Sequence, residues 1–132
     1  MMIDLAQYSP AVNQLDPIRF TRQLCEIEST TSHEGAVGDF LADFLGARGW
    51  AVEKTPVEQT KENAGGGPRW NVYAGMIGER PDLVFSTHTD TVPPYIPFSE
   101  DAEFMYGRGV SDAKGIIAAQ VAAAEELRLG RR

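Results

Sequence analysis

Cysteine and histidine are scarce in this sequence: one cysteine, Cys25, and two histidines, His33 and His88, among 132 residues. A lone cysteine excludes an internal disulfide and points to a reducing compartment, the cytoplasm. Cys25 lies in a helical pattern among apolar neighbours, so it reads as buried and inert rather than as a nucleophile. No apolar run is long enough to span a membrane, and Met1 to Pro10 lacks the basic start and apolar core of a signal peptide. Basic residues are also few, 12 against 19 acidic, for a net charge of -7, and they cluster nowhere beyond Arg128 and Arg131-Arg132. That balance argues against a nucleic acid or an anionic membrane as partner. No internal repeat is visible. The length is that of one domain, able to bury roughly two-thirds of its unfolded surface.

What is present reads as alternating helices and strands. Residues 1–15 form a lead-in, and 16–132 carry the domain. Asp16 can cap a helix, Pro17 suits its first position, and Phe20, Leu24 and Ile27 give its apolar stripe, with an end near Ser29. Thr31 and Glu34 match a capping box for a second helix, where Val37, Phe40, Leu41, Phe44 and Leu45 form a core face before Gly49 stops it. A strand is expected around Trp50 to Val57. The polar stretch Glu58 to Pro68 follows; its glycines do not open into a helix with Lys-Ser or Lys-Thr, so it is a loop and not a phosphate cradle. Trp70 to Ala74 and Leu83 to Thr87 are expected as neighbouring strands, the second covered on both faces because Leu83, Val84 and Phe85 are all apolar. Phe104 to Tyr106 suggests a short strand. The pattern predicts an α/β fold, a three-layer αβα arrangement with helices on both faces of a mixed, mostly parallel sheet.

Two stretches carry chemistry. In the first, Val92-Pro93-Pro94 ends any strand, so His88 and Asp90 stand where a strand opens into a loop, the edge where ligands bind in open α/β sheets. Residues i and i+2 of a strand share a side, so Asp90 can accept from one ring nitrogen of His88 and leave the other outward, as a metal-bound histidine needs. A strand-end histidine tied to a turn aspartate is the alternative. In the second, Asp112 lies in Gly107-Arg108-Gly109-Val110-Ser111-Asp112-Ala113-Lys114-Gly115, ahead of a helix with Ile116, Ile117, Gln120, Val121, Ala124 and Leu127 on one face. A helix N-terminus favours an ionised carboxylate, which could bridge two divalent ions or simply cap the helix. Tyr95, Phe98 and Arg108 either line the mouth of this site or pack back on the domain. His33, in the turn between the first two helices, reads as exposed or capping and is not assigned to metal.

The string Ser86-Thr87-His88-Thr89-Asp90-Thr91-Val92-Pro93-Pro94, followed by Gly107 to Gly115, resembles the signature of the zinc-dependent aminoacylase and exopeptidase family. Acetylornithine deacetylase, succinyl-diaminopimelate desuccinylase, aminoacylase and glutamate carboxypeptidase belong to it. The resemblance extends to the N-terminal helices and to Arg69-Trp70-Asn71-Val72, from about residue 16 onward. It implies that His88 is a ligand of one zinc, that Asp112 bridges two zincs, that Asp90 is the catalytic residue orienting His88, and that the bond after Asp112 is cis. Cobalt and manganese suit the same ligand types. The implied reaction is hydrolysis of an amide bond in a small N-acyl amino acid or peptide.

The family's glutamate pair, a further acidic ligand and a later histidine have no counterpart before Arg132. The chain therefore reads as the N-terminal portion of the catalytic domain of a longer enzyme, without the C-terminal half or the lid and dimerisation domain, and inactive by itself. The alternative is a small α/β metal-binding or interaction module. A homo-oligomer is left open. Glu125-Glu126 cannot replace the missing pair: 13 residues along the same helix place it about 20 Å from Asp112, so it reads as a solvated helix end.

Overall fold

The computed structural model describes residues 14–62, 64–75, 78 and 80–130. Helix α1 (Pro17–Cys25) begins as its residues dictate. Asp16 Oδ1 accepts from the N–H groups of Ile18 and Arg19 at 2.9 and 3.2 Å, and Pro17 has no N–H to leave unpaired. The helix stops at Cys25 rather than near Ser29, because Ser29 to Thr31 turn away to bond the segment that carries His88 and Asp90.

Helix α2 (Gly35–Ala47) follows without the expected capping box. Glu34 Oε1 instead accepts from Ser32 N–H at 2.9 Å, and the Thr31 hydroxyl donates to Asp90 Oδ2 at 3.2 Å. Both box residues are thus drawn into the turn and the loop beside it. The α2 stripe packs as expected: Val37 and Leu41 meet Phe20 and Leu24 of α1, and the Phe44 ring stacks on Phe20 with centroids 4.1 Å apart. Leu15 is buried in the same cluster, and so are Ile117 and Ala118 of helix α3 (Lys114–Arg128).

The buried face of α3 differs from the one its apolar residues suggested. It consists of Lys114, Ile117, Ala118 and Glu125, while Ile116 and Leu127 are about half exposed. Glu125 is a correction to the solvated helix end expected for it: its carboxylate is buried. Arg48 Nε donates to Oε1 at 2.7 Å and Trp50 Nε1 donates to the same oxygen at 3.2 Å. Arg128 lies 4.3 Å from the centroid of the Trp50 ring and donates to Arg48 O at 3.0 Å. Opposite charges and aromatic faces thus tie the end of α3 to the end of α2.

The sheet also differs. Strands β1 (Ala51–Pro56) and β2 (Trp70–Gly75) pair antiparallel, from Ala51 opposite Gly75 to Pro56 opposite Trp70. Strands β3 (Ser99–Glu100) and β4 (Met105–Tyr106) form a second antiparallel pair. The fold is a mixture of helices and strands, but among the described residues there is no three-layer, mostly parallel sheet. Leu83 to Thr87 joins neither pair, and Val84 is 71% exposed where burial on both faces was expected. An extended segment becomes a strand only when a neighbour supplies the ladder, and neither antiparallel pair takes this segment as a third strand.

The Glu125 cluster has a measurable consequence. Burial alone would raise the Glu125 pKa, but hydrogen bonds from Arg48 and Trp50, with the charges of Arg48 and Arg128, hold it below the usual carboxylate value. A carboxyl depressed in the folded state contributes stability above its unfolded pKa and loses that contribution as pH falls through the folded one. Glu125→Ala is expected to cost about 2 kcal/mol in urea unfolding at neutral pH, with the difference from wild type shrinking in acid. An equal difference at both pH values would contradict the charge-based clasp.

Candidate functional site

Three short segments build the site. Ser29 Oγ donates to Thr89 O at 2.8 Å, Thr91 N–H to Ser29 O at 2.8 Å, and Thr31 N–H to Thr91 O at 3.0 Å. These bonds give the parallel bridge between Thr30 and Thr91 and fasten the loop after His88 to the end of α1. The second motif is tied from below. Lys114 is 1% exposed, and its Nζ donates to Ile27 O at 2.5 Å, anchoring the start of α3 under the loop. Burial pushes the Lys114 pKa down, against the opposing pull of Cys25 and Glu28. Gly109, at φ +95°, passes where a Cβ would lie 2.9 Å from both Lys114 Cδ and Thr91 Cγ2. Only glycine allows the two motifs to approach so closely. The bond between Asp112 and Ala113 is cis.

The result brings together the three residues singled out in the sequence. His88 Nδ1 lies 3.0 Å from Asp90 O and 3.1 Å from Asp90 Oδ1, both acceptors. His88 Nε2 lies 3.0 Å from Asp112 Oδ1. With Nδ1–H donating to Asp90, a neutral ring turns the Nε2 lone pair at a carboxylate oxygen. Two acceptors at that distance repel unless a proton or another cation lies between them. The electrostatics agree in direction. Slight burial would lower the His88 pKa, but the Asp90 carbonyl, the hydrogen bond to Asp112 and the charges of both aspartates raise it above the usual histidine value.

These side chains open to solvent, the Asp112 carboxylate most of all at 83%. They line a cavity of about 210 Å³ together with Arg108 and Ser111. Arg108 therefore stands at the site, whereas the Tyr95 hydroxyl donates back to Cys25 O and Glu26 O at 3.4 Å each. His33 is exposed and lies outside the cavity. Cys25 is buried, and burial raises its thiol pKa more than nearby Lys114 lowers it, as suits an inert thiol. Among the described residues no group of three or more His, Cys, Asp or Glu side chains could hold a metal ion. The sequence reading missed Lys114 and the Ser29–Thr31 clamp, although the lysine inside the glycine-rich motif was a visible signal.

Comparison with known proteins places these residues in a family context. Residues 84–131 match the model of peptidase family M20/M25/M40. The chain is 37% identical over 123 residues to a probable carboxypeptidase of Aspergillus flavus, covering 86% of this chain and 28% of that protein. It is 41% identical over 113 residues to a probable carboxypeptidase of Paracoccidioides brasiliensis, covering 78% and 26%. A third, from Emericella nidulans, is 43% identical over 113 residues, covering 80% and 25%. The chain thus spans about a quarter of the length of these curated relatives. No solved structure matches it.

The close approach at Gly109 can be tested directly. Gly109→Ala is expected to cost about 2 kcal/mol of stability and to move the His88 ring resonances, because Asp112 shifts with its loop. A wild-type unfolding midpoint with an unchanged His88 spectrum would contradict the packing described.

Proposed function

We propose, since the chain belongs to peptidase family M20/M25/M40, that it contributes part of the metal centre of a di-zinc amidohydrolase acting on a peptide or N-acyl amino acid. The observation that carries this is the pair of acceptors, His88 Nε2 and Asp112 Oδ1, facing one another at 3.0 Å. Tetrahedral zinc with bonds of about 2.0–2.1 Å sets neighbouring donors roughly 3.3 Å apart. The pair needs to open by only a few tenths of an ångström, so the donor set fits a zinc ion on this side. Cobalt and manganese accept the same donors.

When bound, such a zinc pair polarises the scissile carbonyl and activates a water. The chain's own residues prepare the site. Asp90 holds the Nδ1 proton of His88, fixing its tautomer and ring orientation. Asp112 Oδ1 faces His88, and the exposed carboxylate leaves its second oxygen accessible to a second ion. Zinc takes three or four ligands and hydrolysis needs a general base. In this reading both requirements are met by residues outside the described part, in keeping with relatives about four times as long. The activity thus belongs to the longer protein, and the 132-residue chain alone turns over no amide.

The same reading gives Leu83 to Thr87 a place in a three-layer αβα sheet once neighbours cover it. A small acylated amino acid or peptide is the partner, in the cytoplasm; nucleic acid and membrane are not, and a homo-oligomer remains compatible. No helix among the described residues is long and apolar enough to cross a membrane. One other reading, a catalytically inactive fragment or a small α/β metal-binding or interaction module, is favoured because no group of three or more metal-holding side chains stands among the described residues.

Zinc titration by calorimetry is the test. The wild-type chain, holding two of the ligands, is expected to take up zinc weakly, the full-length protein tightly, with His88→Ala and Asp112→Ala losing that uptake and Asp90→Ala weakening it by about ten- to a hundredfold. Zinc uptake by Asp112→Ala equal to wild type would refute the assignment. In the full-length protein, His88→Ala and Asp112→Ala are each expected to abolish hydrolysis.

A further inference from the structure

We infer that Thr31 is a positioning residue: its hydroxyl, acting through Asp90, decides which nitrogen of His88 faces Asp112 as a lone pair. The inference rests on the metal-centre reading only for the use to which that lone pair is put. The two carboxylate oxygens of Asp90 have separate partners. Oδ1 lies 3.1 Å from His88 Nδ1, and Oδ2 accepts from the Thr31 hydroxyl at 3.2 Å. A carboxylate on a short side chain can turn about its last bond, and with Oδ2 held, Oδ1 stays on the imidazole. The Thr31 hydroxyl also lies 3.4 Å from Thr91 O. It has one hydrogen to give, and the nearer, charged oxygen is the stronger acceptor.

The backbone fixes Thr31 for this contact. Its N–H donates to Thr91 O at 3.0 Å, beside the bridge between Thr30 and Thr91. The next residues close a tight turn, with His33 N–H donating to Thr30 O at 2.7 Å. Ser32 stands in that turn at φ +80°, the only positive φ outside glycine among the described residues. Two contacts hold it there. Ser32 N–H donates to Glu34 Oε1 at 2.9 Å, and Gly66 packs over Ser32 O so closely that no Cβ fits at Gly66. Backbone strain persists where the surroundings enforce it, and it concentrates where geometry serves a site. Here the enforced turn presents one hydroxyl to Asp90. Thr31 is exposed and the Asp90 side chain is 40% exposed, so water can replace the bond at little cost in stability. Its effect is on orientation. A neutral imidazole carries one proton. With Asp90 O and Oδ1 both at Nδ1, that proton stays on Nδ1 and Nε2 meets Asp112 Oδ1 as a lone pair. If Oδ1 swings away, the balance moves toward a proton on Nε2, where Asp112 accepts it and a cation is shut out.

Nitrogen-15 NMR of the His88 ring tests this on the whole chain without metal, at one alkaline pH where the ring is neutral. Thr31→Val keeps the branched shape and the backbone N–H but removes the hydroxyl. It is expected to raise the population of the Nε2-protonated tautomer at least about threefold, with the urea midpoint close to wild type. Thr31→Ser, which keeps a hydroxyl, is expected to keep the wild-type spectrum. In an Asp90→Ala background, Thr31→Val is expected to change nothing further, because the hydroxyl acts only through Asp90. In the full-length protein Thr31→Val is expected to weaken zinc binding about tenfold. A ring spectrum unmoved by Thr31→Val overturns the inference, and so does an equal shift in the Asp90→Ala background or a Thr31→Ser that behaves as Thr31→Val. Unfolding of Thr31→Val overturns it too, since the hydroxyl is then a structural group. A shifted tautomer in a protein that takes up no zinc refutes the metal centre and leaves the role of Thr31 standing; zinc uptake with an unmoved ring does the reverse.

Discussion

Two backbone hydrogen bonds, from Thr91 N–H to Ser29 O and from Thr31 N–H to Thr91 O, hold the loop that follows His88 against the end of α1. Every distance at the candidate centre depends on that attachment. Ser29, Thr30 and Thr91 are buried, so water does not compete for these bonds. From the other side, Lys114 reaches under the loop to Ile27 O and brings the start of α3, with Asp112 just before it, to the same place. His88 and Asp112 stand 24 residues apart in the chain, yet both are referred to the stretch at the end of α1.

This arrangement gives the site its electrostatic character. Asp90 fixes one face of the His88 ring, so the other can only meet Asp112 as a lone pair facing a carboxylate or as a donor carrying a proton. Raising the imidazole pKa is how the protein relieves that conflict without a metal. A divalent cation bound there, as proposed, would relieve it as well and would compete with the proton for Nε2, linking metal uptake to proton release.

Much of this was legible in the sequence, for local reasons. Asp16-Pro17 marked a helix start because capping and a missing N–H are properties of two adjacent residues. The α2 stripe was legible from its period. His88, Asp90 and Asp112 were singled out because the two motifs together resemble the zinc aminoacylase and exopeptidase signature, and the structure brings both aspartates within 3.1 Å of the His88 ring. What failed depended on partners distant in sequence. Thr31 and Glu34 look like a capping box until Asp90 and Ser32 compete for them. Glu125 looks solvated until Arg48 and Trp50, more than seventy residues earlier, surround it. Leu83 to Phe85 carry the pattern of a buried strand, but a pattern records a preference for cover and does not supply the neighbour.

The central claim is that Asp90 and Asp112 divide the two nitrogens of His88 between a held proton and a metal-facing lone pair. Nitrogen-15 NMR of the His88 ring, recorded on metal-free chain and again during zinc addition, tests it most directly. The account predicts a proton on Nδ1 throughout, with Nε2 alone losing its proton and shifting as zinc is added. A ring that keeps Nε2 protonated at saturating zinc, or that loses the Nδ1 proton instead, would contradict it.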